Sequence, residues 1–194
     1  MLRLDEELML SYRDGDEGAF EKLYRRYERP IFSFIYRMVS SAADAEDLCQ
    51  ETFFKVIRAK KKYRKTSKFK TWLFQIALNL CRDRIRRMKF RSHLSLNSQA
   101  FSQDSEEIRT RQSIADSSSE PPKNAQAAEM KALVQQAFKK LPQQQRTVVI
   151  LRQYHGLKFL EIAEIMNCSL GTAKSLNHRG REKLMKALSK YVEQ

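Results

Sequence analysis

Apolar side chains return at helical spacing along most of this chain, and that rhythm restricts what it can fold into. Phe20, Leu23, Tyr24, Tyr27, Ile31, Phe34, Ile35 and Met38 follow the i, i+3, i+4, i+7 pattern of one buried helix face. Ala45, Leu48, Cys49, Thr52, Phe53, Val56 and Ile57 repeat it, and so do Phe69, Trp72, Leu73, Ile76, Ala77 and Leu80. Strict alternation of apolar and polar residues is scarce. Five glycines and four prolines in 194 residues also leave few of the turns that β-sandwiches and Rossmann units need. The expected fold class is all-α. Asp16 is placed to cap the first of these helices, and Ser41 with Asp44 forms a capping box ahead of the second. Pro30 should kink or break the first helix near Glu28 to Pro30, because proline lacks the donor and collides with the preceding turn.

Charge is distributed unevenly along the chain. Residues 1–50 carry 7 basic and 11 acidic side chains, whereas residues 51–92 carry 15 and 2. Residues 93–124 hold 3 and 5, and residues 125–194 hold 12 and 5, so two basic bodies flank an acidic connector. Basic clustering of this kind is the electrostatic footprint of a polyanion such as nucleic acid, although a solvated basic face is the plainer reading. The connector, 93–124, has eight serines in 32 residues and the pair Pro121-Pro122. It lacks the apolar surface to offset its ordering entropy and reads as a flexible linker between a domain at 1–92 and a second at 125–194.

Several function classes lose support here. Cys49, Cys81 and Cys168 lie far apart with no C-x-x-C pair, and the chain has three histidines, so neither a disulfide framework nor a metal site is expected. No cofactor, catalytic residue or small-molecule substrate is indicated. No apolar run approaches the roughly 18 residues of a membrane span. The opening Met1-Leu2-Arg3-Leu4-Asp5-Glu6-Glu7 lacks the basic-then-apolar order of an export signal, and a cytoplasmic location is expected.

Three surfaces carry the chemistry. On the second helix the face opposite the core stripe bears Asp47, Gln50, Glu51, Phe54 and Arg58, which sets an aromatic ring among acids. That pattern suits docking of a basic protein, and its acids equally complement a helix N-terminus. On the third helix Gln75, Asn79, Arg82 and Arg86 share one ridge. The basic loop ahead of it contains Lys60, Lys61, Lys62, Tyr63, Arg64, Lys65, Lys68 and Lys70. Cations that track phosphates, with rings that stack on bases, fit single-stranded nucleic acid.

The third surface lies near the C-terminus. Helices are expected over 129–140 and 144–154, then Phe159 to Met166, a turn at Asn167-Cys168-Ser169, and a long helix from Leu170 to about Leu188 capped by Ser169. That spacing reads as a helix-turn-helix, with Leu170, Ala173 and Leu184 packing inward. Thr172, Ser175, Leu176, Arg179 and Lys183 then fall on the outward face, where a major groove would receive them.

Four motifs in order resemble the extracytoplasmic-function sigma factors, the smallest members of the bacterial sigma-70 family. They are Ser41-Ala-Ala-Asp-Ala-Glu-Asp-Leu-Cys-Gln-Glu-Thr-Phe53, Phe69-Lys-Thr-Trp-Leu-Phe-Gln-Ile-Ala-Leu-Asn79, Leu141-Pro-Gln-Gln-Gln-Arg-Thr-Val148, and Glu161-Ile-Ala-Glu with Ser169-Leu-Gly-Thr-Ala-Lys-Ser175. The resemblance implies a sigma-2 helical bundle at 1–92 that binds the clamp helices of the RNA polymerase β′ subunit through Asp44, Asp47, Gln50, Glu51 and Phe54. It implies that Tyr63, Lys68, Lys70, Gln75, Asn79, Arg82 and Arg86 engage the melted minus-ten strand, with Asn79 beside a flipped base. A sigma-4 domain at 125–194 would read the minus-35 duplex through Ser169, Thr172, Lys174, Ser175, Leu176, Arg179 and Lys183 and would meet the β-flap. The implied partners are core RNA polymerase, promoter DNA and an anti-sigma factor.

The chain departs from the family pattern after Lys174-Ser175. Leu176-Asn177 stands where Arg-Leu is usual, and Gly180 where alanine is usual. Two other readings remain at this stage. A stand-alone helix-turn-helix regulator would leave the Phe54 face unexplained, and a nucleic-acid-processing enzyme lacks a G-x-x-x-x-G-K phosphate cradle.

Overall fold

The computed structural model describes residues 4–64, 68–98 and 125–189. Among these described residues eight α-helices and one 3-10 turn follow in order: α1 (Asp5–Arg13), α2 (Glu17–Val39), α3 (Ala42–Arg58), the 3-10 turn (Lys60–Lys62), α4 (Phe69–Ser98), α5 (Ala125–Lys140), α6 (Gln143–Gln153), α7 (Phe159–Met166) and α8 (Leu170–Ser189). No strand occurs among the described residues, in agreement with the all-α expectation. The expected linker lies largely outside the described residues, and α4 continues past His93, where the linker is expected to begin, to Ser98. Extending an existing helix fixes one residue per added bond, so no new nucleation cost opposes the longer run.

The local signals act as read. Asp16 Oδ1 accepts from the Ala19 N–H at 3.2 Å, and Ser41 Oγ accepts from the Asp44 N–H at 3.3 Å. The second half of the expected capping box is absent, because the Asp44 carboxylate instead pairs with Arg84 of α4. Pro30 does not break α2, which runs unbroken from Glu17 to Val39. Leu23, Tyr27, Ile31 and Phe34 are buried on both sides of the proline, and packing against α1, α3 and α4 outweighs its missing bond of about 3 kcal/mol. Ile57 is 37% exposed rather than part of the α3 stripe, since the helix ends one residue later.

Helix α4 is buried more widely than one stripe predicts. Phe69, Leu73, Ala77 and Leu80 are buried, and so is a second i, i+4, i+7 set, Phe74, Leu78 and Cys81. The reason is tertiary: α1, α2 and α3 pack on α4 from the N-terminal half, and α7 packs on it from the C-terminal half. Phe34 and Phe74 meet with ring centroids 5.4 Å apart, and His155 lies 5.9 and 5.0 Å from them. Burial lowers the His155 pKa to about 4, with Arg37 and Lys70 pushing the same way, so this imidazole is neutral at pH 7.

In the C-terminal half, Asn167 takes the left-handed conformation at φ 53°, Cys168 N–H donates to Ala163 O at 3.0 Å, and Ser169 Oγ accepts from the Thr172 N–H at 3.1 Å. Helices α7 and α8 thus form the expected helix-turn-helix. Helix α8 buries Ala173, Leu176, Asn177 and Gly180, an i, i+3, i+4, i+7 face against α6 and α7. Two expectations fail on this register. Leu176 is 7% exposed and belongs to the core, not to the outward face, whereas Leu170, in the first turn, is 36% exposed.

Gly180 is where α8 and α6 approach. A Cβ built there would sit 2.8 Å from Val149 Cγ2 and 3.3 Å from Gln145 O. Val149 is β-branched and 1% exposed, so it has little room to yield. Gly180→Ala gains about 1 kcal/mol of helix propensity but forces an overpacking cost of about 1 to 3 kcal/mol. The expected result is a thermal midpoint a few degrees lower; a raised midpoint would show that the helices separate at no cost.

Candidate functional site

The face of α3 turned away from the core carries Asp47, Gln50, Glu51 and Phe54, all exposed, with Phe54 at 57%. A polar cleft between α3 and α4 adjoins it, lined by Asp44, Asp47, Glu51, Lys55, Asp83 and Arg84. Asp44 is held by Arg84 inside this cleft, and Lys55 Nζ stands 3.8 Å from Glu51 Oε1. Four of the five residues expected to dock a partner therefore form one open patch. Asp44 lies behind it and ties α3 to α4.

The basic loop is held at both ends. Lys60 Nζ sits 4.4 Å from the Tyr12 ring centroid and 3.4 Å from Glu17, while the Phe69 N–H, at the first turn of α4, donates to Glu6 Oε1 at 2.9 Å. A carboxylate there satisfies an orphan helix donor and complements the dipole. Glu6→Ala should cost about 1 kcal/mol in stability and speed tryptic cleavage after Lys61, Lys62 and Arg64. An unchanged cleavage rate would mean that Glu6 does not restrain the loop.

Tyr63 is not offered as a stacking surface. It is 4% exposed, with its ring 6.2 Å from that of Phe69 and 5.2 Å from that of Trp72, and burial pushes its phenol up to about 12, helped by Glu6 and Asp5. Among the described residues of the loop, Lys61, Lys62, Arg64 and Lys68 are exposed. Lys68 and Lys70 both touch the C-terminal half, through Glu161 Oε1 at 2.8 Å and the His155 carbonyl at 3.2 Å. Along α4, Asn79 and Arg86 are exposed and Gln75 and Arg82 half-buried, so the polar ridge exists as expected. Arg86 is paired with Asp83 at 3.0 Å.

Ser169, which caps α8, and Thr172, Lys174, Ser175, Arg179 and Lys183 on it are all exposed. Arg179 Nη2 donates to Ser175 Oγ at 3.0 Å, which fixes the guanidinium along the helix surface. His178, absent from the expected set, is exposed next to Arg179. Its position one residue from Arg179 and five from Ala173 on a 100° wheel would have placed it outward. Asn177 is 8% exposed, with Oδ1 buried and without a partner, so the Leu176-Asn177 departure alters the inner face of α8 rather than its outer face.

An acidic patch with one exposed ring, a basic loop leading into a polar helix ridge, and a helix-turn-helix thus occur in that order along the chain. Residues 23–91 match the family described as Sigma-70 region 2, and residues 131–184 match Sigma-70, region 4. The RNA polymerase sigma-H factor of Pseudomonas aeruginosa is 34% identical over 184 residues, covering 95% of this chain and 93% of that protein. The ECF RNA polymerase sigma factor SigW of Bacillus subtilis is 35% identical over 176 residues, covering 91% and 92%. The chain belongs to the sigma-70 family.

Within that family it is an extracytoplasmic-function sigma factor, and it acts in promoter-specific transcription initiation. Its fold is shared with RpoE from Bartonella quintana, solved in complex with the anti-sigma factor NepR (TM-score 0.63, 24% identity, 88% of this chain and 96% of that one). It is also shared with CnrH, solved in complex with the cytosolic domain of CnrY (TM-score 0.70, 22% identity, 96% and 98%). Helix α1, which supplies Glu6, precedes the part of this sigma factor that matches region 2. Among its described residues no helix is long and apolar enough to cross a membrane, and no group of His, Cys, Asp and Glu could hold a metal ion.

Proposed function

We propose a division of labour for this sigma factor. Residues 1–92 form the lobe that binds core RNA polymerase and the melted minus-ten strand, 93–124 form the tether, and 125–194 form the lobe that reads the minus-35 duplex. Asp47, Gln50, Glu51 and Phe54 dock on the clamp helices of β′, with Asp44 setting the α3–α4 geometry behind them. Lys68, Lys70, Gln75, Asn79, Arg82 and Arg86 take the single strand; Tyr63 supports the loop from within. Ser169, Thr172, Lys174, Ser175, Arg179 and Lys183 face the minus-35 element, and Leu176 is withdrawn from that set.

The observation that carries this reading is the register of α8. Its buried face is occupied by Ala173, Leu176, Asn177 and Gly180, which leaves Thr172, Ser175 and Arg179 exposed along the N-terminal half of the helix. The protein supplies binding energy to a reaction that the polymerase catalyses and needs no catalytic centre of its own. Extruding a base takes only a pocket and a few kcal/mol of binding energy to offset unstacking. We place the protein in the cytoplasm, where polymerase is. An anti-sigma factor belongs to this reading because RpoE, which shares the fold, was solved with the anti-sigma factor NepR, and CnrH, which also shares it, with the cytosolic domain of CnrY.

The test is footprinting of the holoenzyme on a promoter selected by it. Nuclease protection should extend over the minus-35 element while permanganate detects unpaired thymines at minus ten. Protection without melting, or melting without upstream protection, would break the assignment of the two lobes.

A further inference from the structure

The backbone of α8 rests on α6 at Gly180, where even a methyl group has no room. A Cβ built there would meet Val149 Cγ2 at 2.8 Å, and Gln145 Cβ and the Gln145 carbonyl oxygen at 3.3 Å. The same contact holds two further features that stability alone does not favour. Asn177, one turn before Gly180, is the polar residue of the buried face of α8, and its Oδ1 is enclosed without a hydrogen bond. Gln145 Oε1, on α6, is likewise enclosed and unpartnered. A helix-interior glycine and two unmatched buried acceptors each lower stability. Local rules broken together at one contact point to a role other than holding the fold.

We propose that Gly180 is a positioning residue for minus-35 readout: its close seat on α6 fixes how far the outer face of α8, and Arg179 above all, reaches into the major groove. With alanine at this position, a return to ordinary contact at 3.4 Å takes a displacement of about 0.6 Å. Helix α6 has little freedom to supply it. Val149 is 1% exposed, and both ends of α6 are tied to the chain on either side, Arg146 Nη2 donating to Lys139 O at 2.6 Å and Arg152 Nη1 to Leu157 O at 3.0 Å. The outer side of α8 is open, so α8 is the helix that moves. Its first turn cannot follow, because Cys168 N–H is bonded to Ala163 O and Ser169 Oγ accepts from the Thr172 N–H. Helix α8 therefore swings about that turn. At about 1.5 Å per residue Thr172 stands about 4.5 Å from the pivot at Ser169 and Gly180 about 16 Å, so Thr172 shifts by about 0.2 Å while Arg179 takes nearly the whole displacement. A shift of that size exceeds the spread of good N–H···O distances, about 2.7 to 3.2 Å, and disturbs both bonds of a guanidinium to a guanine edge.

This inference rests on the reading that α8 faces the minus-35 element, and the experiment keeps the two apart. Holoenzyme carrying the wild-type protein, Gly180→Ala, Val149→Ala or both substitutions is titrated against promoters that differ at single minus-35 base pairs, and each free protein is melted thermally. Gly180→Ala should change discrimination about fivefold or more at the base pair whose preference Arg179→Ala relaxes, and less than about twofold at the base pair that Thr172→Ala maps to the first turn. Val149→Ala removes the methyl that a Cβ at position 180 would meet first. Alone it should lower the melting midpoint and leave the preferences unchanged. Combined with Gly180→Ala it should return the preference to within about twofold of wild type although the midpoint stays low. A role confined to stability predicts the reverse, with the double variant the weakest binder at every promoter. An equal loss at all minus-35 variants for Gly180→Ala, or a double variant that keeps the altered preference, would overturn the proposal. Wild-type holoenzyme indifferent to every minus-35 substitution would instead overturn the assignment of α8 itself.

Discussion

Asp47→Lys combined with Phe54→Ala should abolish capture of core RNA polymerase in a pull-down while far-ultraviolet dichroism stays helical. Phe54 is 57% exposed on a helix whose opposite stripe is fully packed, so its ring contributes nothing to the fold that burial could explain. An aromatic anchor lost from the centre of an interface costs about 2 kcal/mol or more. Placing a lysine where a basic partner surface expects a carboxylate adds a like-charge penalty of several kcal/mol. Together these reduce affinity by well over a hundredfold at about 1.4 kcal/mol per decade. The stability of the isolated protein should hardly move, because neither side chain is buried. Retention of polymerase by the folded double variant would reject this docking face.

Arg179→Ala should weaken minus-35 binding by the holoenzyme by about 1 to 3 kcal/mol and relax the preference at one base pair. The guanidinium is exposed, held by Ser175, and is the side chain on the outer face of α8 best suited to bond two acceptors on a guanine edge. Leu176, in the family's usual arginine position, is buried and can make no such contact. Lys183→Ala is the comparison, since a phosphate contact lowers affinity evenly across promoter variants and reduces the salt dependence. A uniform loss for Arg179→Ala as well would make it a backbone contact; no loss at any promoter would remove it from the readout face.

The helices of this protein are legible in its sequence where one stripe meets one core. The α3 pattern reads directly as Leu48, Cys49, Thr52, Phe53 and Val56 inside and Asp47, Gln50, Glu51 and Phe54 outside, and the caps at Asp16, Ser41 and Ser169 are local chemistry that needs no tertiary knowledge. Helix α1 escapes the same scan although Leu8, Met9 and Tyr12 are buried, because two turns give too few repeats of the period. The continuity of α2 through Pro30 is likewise invisible, since it depends on packing supplied by three other helices. Sequence alone misplaces Leu176 and Tyr63 for related reasons. A wheel drawn on α8 shifts its boundary by one residue according to which of Ala173 and Leu170 anchors the inner face, and the aromatic in a basic loop looks exposed until Phe69 and Trp72 are seen to enclose it. The contact of Lys68 with Glu161 joins residues far apart in the chain, and no periodicity reports it.

The central claim is that this chain confers promoter choice on a polymerase through two lobes acting together. Run-off transcription tests it most directly: purified core RNA polymerase, with and without this protein, on templates carrying an intact promoter, a minus-35 substitution or a minus-ten substitution. The account predicts a discrete transcript only when the protein is added to the intact template, with either substitution sharply reducing it. A transcript of equal strength without the protein, or one indifferent to both elements, would contradict it.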